Sequence, residues 1–354
     1  MKLQILTIRK ATVEYPRHSE ASIVELPNGR LLMAWQEYTK SELGGADQAP
    51  NRIAAMVSTD GGLSWREHRV LVEPESGDVN VYSPSFLYLP NGELLLFTFR
   101  YQVLELGKQP QTTATIRRSI DHGQTFAQPQ FVWINKPYGC ASSVLKLLSG
   151  GRIIIPVSKQ TGATRSKTDH GLAGSIYSDD RGATWHECET WADLPLRGAM
   201  EPHLEELVDG KLLMVMRTQL GSIFKSYSQD QGATWSLAQT TGLMSPESCP
   251  ELVRIPQTRE LMIVWNNSPY NPSWASHYGK RTPLSIARSQ DEGETWIDFR
   301  KIENHPSLAY SNPACTFLES GKGILTYWVA RYKESGYMDN SLLDLKAAIF
   351  GPKW

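Results

Sequence analysis

An octapeptide of the form Ser-x-Asp-x-Gly-x-Thr/Ser-Trp/Phe recurs five times in this sequence, starting at Ser58, Ser119, Ser178, Ser228 and Ser289. Successive copies begin 61, 59, 50 and 61 residues apart. In each copy the Asp can accept hydrogen bonds from nearby backbone amides, the Gly can take a positive φ, and the aromatic side chain can fold back as an apolar plug. Five tight turns at nearly equal spacing indicate a chain built from structural repeats.

A second repeat has the pattern of a β-hairpin. Apolar runs that follow a turn occur as LPNGRLLMAW, LPNGELLLFTF, LSGGRIIIPV, LVDGKLLMVM, IPQTRELMIVW and LESGKGILTYW. Five of these six contain an NG, GG, DG or SG pair, which is a turn signal between β-rich runs. The first five are each followed by a third apolar run and then by the octapeptide. Each unit is therefore predicted to be a four-stranded antiparallel meander, and 354 residues divided by six give 59 per unit.

The two termini complement one another. The sixth unit has three apolar runs and ends where an octapeptide and a fourth strand would follow, while the N-terminal segment LQILTIRK offers one further strand. Joining them closes a ring, and a β-propeller leaves only short, protected sheet edges. We expect an all-β fold in which residues 1–354 form a single domain. It is a six-bladed β-propeller of four-stranded antiparallel blades, closed by the N-terminal strand in the last blade.

Composition excludes several classes of protein. With 36 basic and 37 acidic residues and a net charge of -1, the surface lacks the basic excess typical of nucleic-acid binding. No run of about 18 apolar residues exists, so we expect no membrane span. The four cysteines are scattered without a CxxC pair, which argues against a disulfide framework. The N-terminus lacks a signal-peptide pattern, which predicts a cytoplasmic protein as numbered, or a secreted one if a leader was removed.

The octapeptide aspartates are expected to be structural. They recur around the ring in the turn between the third and fourth strands, whereas one active site needs its groups gathered in one place. This interpretation covers Asp60, Asp121, Asp180, Asp230 and Asp291.

The meander also predicts which face of the ring holds the site. The octapeptides and hairpin turns occupy one face, so the longer loops fall on the other, where binding groups are expected. Polar and aromatic residues before the first strands on that face are Arg17, His18, Tyr82, Tyr138, Glu201, His203, Glu247 and Tyr310. Those at the ends of second strands or in the following loops are Glu37, Asp47, Arg52, Arg100, Lys159, Arg217, Asn266, Arg281 and Arg331. Such a cup suits a small anionic polar ligand.

In these residues the chain resembles the sialidase (neuraminidase) superfamily, whose Asp boxes the octapeptides match. Over essentially its whole length it is similar to a divergent branch of that family. The resemblance implies three carboxylate-binding arginines, Arg17, Arg217 and Arg281. It also implies an acid/base aspartate, a glutamate and a nucleophilic tyrosine, which are Asp47, Glu201 and Tyr310. Further pocket residues are expected to be Glu37, Arg52, Tyr82, Arg100, Glu247 and Asn266.

Two features depart from the family's pattern. The Arg-Ile-Pro motif is absent, since Arg17 is followed by His-Ser. The family's late glutamate, which supports the first arginine, is also absent, and Trp328 lies near its position. Glu37 and Glu20 are the candidates for replacing that glutamate.

The resemblance implies a retaining, exo-acting hydrolysis of a terminal α-linked sialic acid or a related acidic sugar. Arginine forks bind the sugar carboxylate, and Tyr310 attacks the anomeric carbon while Glu201 accepts its proton. Asp47 then protonates the leaving oxygen and later activates water. Sialidases are an exception to the paired-carboxylate rule because they use a tyrosine. No metal or organic cofactor is expected.

Two alternatives stay open at this point. The propeller could serve another acidic sugar, as a different exo-glycosidase or a polysaccharide lyase, or it could be a non-catalytic glycan-binding protein. Trp274 and Tyr278, in an aromatic-rich loop, could stack on a sugar or pack within the loop. The oligomeric state is not indicated.

Overall fold

The computed structural model describes residues 2–104, 109–162, 169–274, 277–352 and 354. These residues contain 25 β-strands, which turns and loops connect. The strands assemble into six antiparallel sheets arranged as a six-bladed β-propeller, which confirms the predicted fold. None of the described residues forms a helix long and apolar enough to cross a bilayer.

The strands follow one another around the ring, blade by blade. The N-terminal strand is β1 Gln4–Arg9. Blade 1 contains β2 His18–Glu25, β3 Leu31–Tyr38, β4 Asn51–Ser58 and β5 Arg66–Val72. Blade 2 contains β6 Asp78–Tyr88, β7 Leu94–Gln102, β8 Gln111–Ser119 and β9 Gln130–Lys136. Blade 3 contains β10 Tyr138–Gly139, β11 Lys146–Leu147, β12 Ile153–Gln160, β13 Gly171–Ser178 and β14 His186–Glu187.

The second half of the ring repeats the same order. Blade 4 contains β15 Met200–Glu206, β16 Leu212–Arg217, β17 Ser222–Ser228 and β18 Gln239–Met244. Blade 5 contains β19 Glu251–Arg254, β20 Leu261–Asn266, β21 Leu284–Ser289 and β22 Ile297–Glu303. Blade 6 contains β23 Leu308–Phe317, β24 Gly323–Tyr332 and β25 Met338–Phe350.

Blade 6 is completed from the other end of the chain. β1 pairs antiparallel with β25, from Gln4 opposite Ile349 to Arg9 opposite Leu345. Blade 3 differs from the other blades because its first strand is split, and β10 and β11 both pair with β12. The strand order of the other blades is the predicted meander.

In each octapeptide turn, the Asp carboxylate accepts hydrogen bonds from other residues of the same turn. In the first copy the Ser58 hydroxyl donates to Asp60 at 2.8 Å, and the backbone N–H of Ser64 donates to the same carboxylate at 2.9 Å. The hydroxyl and backbone N–H of Ser64 hold the pKa of Asp60 down at about 2. The other four copies repeat the bond from the Ser hydroxyl to the Asp carboxylate.

The apolar core lies between neighbouring blades. The second strands are almost entirely buried, and their alternating side chains pack against the sheets on either side. Trp35 of blade 1 and Trp265 of blade 5 are fully buried in two of these interfaces. This packing fixes the inner ends of the blades, so the loops that meet at the axis lie on a rigid frame.

Candidate active site

The face opposite the octapeptides carries a cavity of about 1150 Å³ on the ring axis. All six blades contribute side chains to its wall. They include Arg17, Glu20 and Asp47 from blade 1, Tyr82 and Tyr101 from blade 2, Tyr138 and Gln160 from blade 3, Glu201 and Arg217 from blade 4, Glu247 and Arg281 from blade 5, and Asn312 and Trp328 from blade 6. The cavity is therefore lined by charged, amide and aromatic groups.

Most of the site residues predicted from the sequence meet in this cavity. Those that line it are Arg17, Asp47, Glu201, Arg217, Arg281, Tyr82 and Glu247. Trp274 and Tyr278 also line it. Five other predicted residues do not, and these are Tyr310, Glu37, Arg52, Arg100 and Asn266.

The placement predicted for Tyr310 is wrong. Its side chain is completely buried in the core between blades 5 and 6, edge-on to Tyr327. Its hydroxyl accepts a hydrogen bond from the backbone N–H of His305 at 3.3 Å. The backbone N–H of Tyr310 does bond the carbonyl of Arg281, but the next side chain, Ser311, is the one that meets the Arg281 guanidinium. Because successive side chains alternate across a strand, Tyr310 points away from the cavity.

Register shifts in the first strands of four blades explain why the prediction for Tyr310 is wrong. The first strands of blades 1, 2, 4 and 6 each contain a register shift, and each shift holds a non-glycine residue at positive φ. These residues are Glu20 (φ 45), Ser83 (φ 54), Glu201 (φ 44) and Asn312 (φ 51). All four line the cavity. The blade 6 residue equivalent to Glu201 is therefore Asn312 rather than Tyr310.

A sequence count would have found these positions. Each of the four residues lies six positions before the leucine that follows its blade's first strand. The pairs are Glu20 and Leu26, Ser83 and Leu89, Glu201 and Leu207, and Asn312 and Leu318. The Tyr-Ser context indicates Tyr310, whereas the internal register of the repeats indicates Asn312.

The other four misplaced residues have structural partners. Glu37 is completely buried and bonds Arg52 at 2.9 Å and His68 at 3.1 Å. Arg100 pairs with Glu75 and lies 3.6 Å from Asp78. The Asn266 side chain donates to the backbone carbonyl of Tyr310 at 3.0 Å. These groups were predicted in the pocket because they lie at the ends of second strands or in the loops that follow, but their side chains bond within or between blades.

Arg17 is saturated by its surroundings. Its Nη1 bonds Asp47 at 2.7 Å and the carbonyl of Gly45 at 3.2 Å, and its Nε donates to Ser19 at 2.9 Å. Its Nη2 bonds both oxygens of Glu20, at 3.1 and 3.3 Å. Of the two candidates for supporting this arginine, Glu20 occupies the position and Glu37 does not. Every guanidinium nitrogen of Arg17 thus has an acceptor within the protein.

Two aromatic rings also enclose the Arg17 guanidinium. It lies 4.7 Å from the ring centroid of Tyr38 and 5.4 Å from that of Trp328. Asp47 remains accessible above it, with 66% of its side chain exposed. This side of the cavity therefore combines one cation with two carboxylates, and we call it the Arg17 side.

Where blades 4 and 5 meet, positive charges outnumber negative ones. Arg217 bonds Glu201 at 2.7 Å and Glu247 at 3.1 Å, and Arg197 also pairs with Glu247. Arg281 adds a third cation that lines the cavity. We call these three arginines and two glutamates the Arg281 side, and their formal charges leave one positive charge in excess.

Arg281 is the unusual member. It is only 4% exposed, and its guanidinium donates to the Ser311 hydroxyl at 2.9 Å and to the Glu247 carbonyl at 3.2 Å. In the described part of the chain no carboxylate oxygen lies within 4.0 Å of it, and its buried Nε has no acceptor. Burial, followed by the positive charge of Arg217, lowers the pKa of Arg281. A buried cation without a paired anion is costly, so this side of the cavity favours a bound anion.

Glu201 is held ionised on this same side. Burial alone would raise its pKa, but hydrogen bonds and the charges of Arg217 and Arg281 outweigh burial and bring this pKa to about 2. The Cys249 thiol also donates to the Glu201 carboxylate. Glu201 is therefore a fixed anion that orients Arg217.

The aromatic loop contributes one wall. Tyr278 stacks on Tyr270 with ring centroids 5.7 Å apart, and Trp274 meets Tyr332 edge-on at 5.6 Å. The buried indole N–H of Trp274 has no acceptor among the described residues. Both residues therefore pack within the structure while facing the cavity. The same part of the chain contains no cluster of three or more His, Cys, Asp or Glu side chains that could hold a metal ion.

The fold and this cavity define a six-bladed β-propeller with a charged cup on its axis, and comparisons with known proteins identify its family. Residues 29–325 match the BNR repeat-like domain family, so the chain belongs to that family. A sialidase of Micromonospora viridifaciens is 24% identical over 84% of this chain and 48% of its own. The chain thus spans about half the length of that relative.

Solved structures share the fold at low identity. The Hadza microbial sialidase Hz136 superposes with a TM-score of 0.76 at 17% identity, covering 99% of this chain and 69% of its own. A protein of unknown function from Dyadobacter fermentans superposes with a TM-score of 0.73 at 15% identity, covering 98% of both chains. At these identities the likenesses show a shared propeller fold.

Proposed function

We propose that this protein is an exo-acting glycoside hydrolase that removes a terminal acidic sugar, sialic acid or a related sugar acid, from a glycoconjugate. The observation that carries the proposal is Arg281, a buried guanidinium at the cavity wall with no carboxylate partner in the described residues. A sugar carboxylate is a planar anion that matches such a fork with two parallel hydrogen bonds.

Charge supports an anionic rather than a neutral sugar. At an effective dielectric near 20, one close charge pair contributes up to about 4 kcal/mol before desolvation is subtracted. For Arg281, part of the desolvation cost belongs to folding and not to binding, because the guanidinium is already buried before any ligand binds. A neutral sugar would leave the excess positive charge uncompensated.

The size and walls of the cavity support a sugar together with part of its aglycone. Ligand pockets commonly enclose about 300–1,000 Å³, and this cavity is slightly larger at about 1150 Å³. Gln160, Trp274 and Trp328 add one amide and two aromatic side chains to the wall, which are groups that commonly contact sugars.

The reaction proposed differs from the tyrosine mechanism implied by the resemblance. Since Tyr310 is buried behind the cavity wall, we propose direct attack of water on the anomeric carbon, with inversion. Asp47, which pairs with Arg17 at 2.7 Å, accepts the proton of that water. The glycosidic C–O bond breaks with its electron pair passing to the aglycone oxygen, which takes a proton from solvent. The substrate carboxylate lies on Arg217 and Arg281.

The test is a panel of 4-nitrophenyl glycosides. It contains sialic acid, its deaminated analogue, Kdo and hexuronic acids, each beside a neutral sugar of similar size, with released nitrophenol as the readout. We expect turnover of at least one acidic glycoside and of none of the neutral ones, and NMR of the first product should show the inverted anomer. Equal turnover of neutral glycosides, or binding of acidic glycosides without any turnover, would contradict the proposal.

The same panel separates the competing activities. An unsaturated uronate as product would identify a lyase, and a retained anomer would indicate a covalent intermediate. Arg100→Gln is the matched control, because this arginine is paired with carboxylates outside the cavity. It is expected to leave turnover unchanged.

A further inference from the structure

One glutamate contacts all three arginines of the Arg281 side, although the sequence predicted for it only a place in the pocket. Glu247 precedes β19 in a buried segment, lines the cavity and is only 2% exposed. Its carboxylate pairs with Arg197 and lies 3.1 Å from Nη2 of Arg217. Its backbone carbonyl accepts a hydrogen bond from the Arg281 guanidinium at 3.2 Å.

The three arginines reach Glu247 from separate parts of the chain. Arg197 lies in the loop before β15, Arg217 ends β16, and Arg281 lies in the loop between β20 and β21. Guanidinium groups repel one another, so the gathering of three of them in one wall requires anions between them. Glu247 supplies such an anion from within the protein, so the wall is assembled before any ligand binds.

Further hydrogen bonds fix the orientation of Glu247. Its second carboxylate oxygen accepts from the Gln219 side chain at 3.2 Å, and its backbone N–H donates to the carbonyl of His277 at 3.0 Å. Burial alone would raise its pKa, but the charges of Arg217 and Arg197 outweigh burial and lower the pKa. Glu247 is therefore a fixed anion of the cavity wall.

This fixed anion changes the charge that a ligand meets. The three arginines carry three positive charges, and Glu201 and Glu247 carry two negative ones, so the wall offers one positive charge in excess. One carboxylate on the ligand balances that charge. A second negative charge on the same group would find no further cation in excess and would lie near two glutamates, which disfavours its binding.

We propose that Glu247 is a specificity-determining residue that restricts this cavity to sugars whose acidic group carries a single negative charge. Sugars with a carboxylate are then the preferred substrates, and sugars with a phosphate-type dianion in the same place are poor ligands. This inference rests on the proposed function, because it specifies which acidic sugars the hydrolase accepts. Glu247 acts through the arginines that it contacts and takes no proton in the reaction.

The test compares two ligands that differ in the charge of one group. The first is a non-hydrolysable thioglycoside of the acidic sugar from the panel that binds most tightly, and the second has a phosphonate in place of its carboxylate. Calorimetry is done under mildly alkaline conditions, where the phosphonate carries two negative charges and the carboxylate carries one. We expect wild type to bind the carboxylate at least about tenfold more tightly than the phosphonate.

The decisive variant is Glu247→Gln, which removes the fixed charge and keeps the size of the side chain. The wall then has two positive charges in excess, so the affinity for the phosphonate relative to the carboxylate should rise by about tenfold or more. Adding Arg197→Gln to this variant returns the excess to one positive charge. We expect the double variant to recover the wild-type preference, because the selectivity depends on the net charge of the wall.

Two further variants separate the charge of Glu247 from its structural contacts. Glu247→Asp keeps the charge on a shorter side chain, so it should retain the preference for the carboxylate while both ligands bind more weakly. Glu37→Gln removes a buried carboxylate of blade 1 that lies outside the cavity, and it should leave both affinities unchanged. Thermal unfolding shows whether each variant is folded.

Each failure has its own meaning. Equal losses of affinity for both ligands in Glu247→Gln, with an unchanged ratio, would assign Glu247 only to the support of its arginines and overturn the specificity role. An altered ratio that persists in the double variant, or a wild type that prefers the phosphonate, would contradict the dependence on net charge. Absence of wild-type turnover on every acidic glycoside would instead overturn the hydrolase function, while the two affinities would still measure the role of Glu247.

Discussion

Arg17 and Arg281 face the same cavity, are equally buried at 4% exposure, and have opposite surroundings. Each guanidinium nitrogen of Arg17 donates to a group of the protein, and two of these acceptors are carboxylates. Arg281 donates to a hydroxyl and a backbone carbonyl, and among the described residues no carboxylate lies close enough to pair with its positive charge. The difference teaches that an arginine aligned with a binding residue by sequence can instead be structural, and that charge balance separates the two roles.

The largest expected effect is on the Arg281 side. Arg281→Leu removes the excess positive charge, and kcat/KM for the acidic glycoside should fall about 1,000-fold, the equivalent of about 4 kcal/mol. Steady-state kinetics measure this loss. Retention of wild-type kcat/KM in this variant would move the anion site away from Arg281.

On the Arg17 side, we expect the substitution of the arginine to lower the free energy of unfolding. Arg17→Leu leaves the buried Glu20 carboxyl and Asp47 without their cation, and removing one partner of a buried ion pair costs about 3–5 kcal/mol. Urea denaturation gives the free energy of unfolding. Arg281→Leu, measured in parallel without ligand, should lose far less stability because no carboxylate pair is broken. Equal losses in the two variants would remove the distinction between the two sides.

Acid titration sharpens the comparison. Glu201 has a folded-state pKa of about 2, below its ordinary value of 4.5, so the stability that it contributes is present above pH 4.5 and is lost as pH falls toward 2. Thermal unfolding of wild type and Glu201→Gln across this window should show a difference that narrows with decreasing pH. A constant difference would mean that Glu201 is not held as an anion by its arginines.

The smallest effect is expected at Tyr310. Tyr310→Phe removes a hydroxyl that accepts one bond at 3.3 Å from the His305 N–H and interacts with the Glu303 carboxylate, so stability should fall by about 1 kcal/mol. Turnover of the acidic glycoside should stay within twofold of wild type. Loss of turnover with normal stability would return this tyrosine to the reaction.

The propeller fold could be predicted from the sequence because the motifs that specify it recur in each blade. Five octapeptides and five hairpin turn signals each fix a turn, and with six apolar hairpin segments they indicate the number of blades and the closure by β1. The same periodicity predicted which face carries the cavity. Such features depend on local turn chemistry and strand alternation, which a single chain records directly.

The site was less predictable because it depends on single positions. Tyr310 lies two residues from Asn312, and a register shift in β23 decides which of them reaches the axis. The count to the following leucine could have revealed Glu20 and Asn312. The pairing of Arg197 with Glu247 joins different loops and has no signal in the sequence.

Calorimetry with an anionic ligand and its neutral twin tests the central claim most directly. The ligands are a non-hydrolysable thioglycoside of the best acidic sugar and its primary carboxamide, which keeps the shape and removes the charge. We predict that the acid binds wild type at least about 100-fold more tightly than the amide, and that Arg281→Leu abolishes this preference while Arg100→Gln preserves it. Equal binding of acid and amide to wild type would contradict an anion site on the Arg281 side.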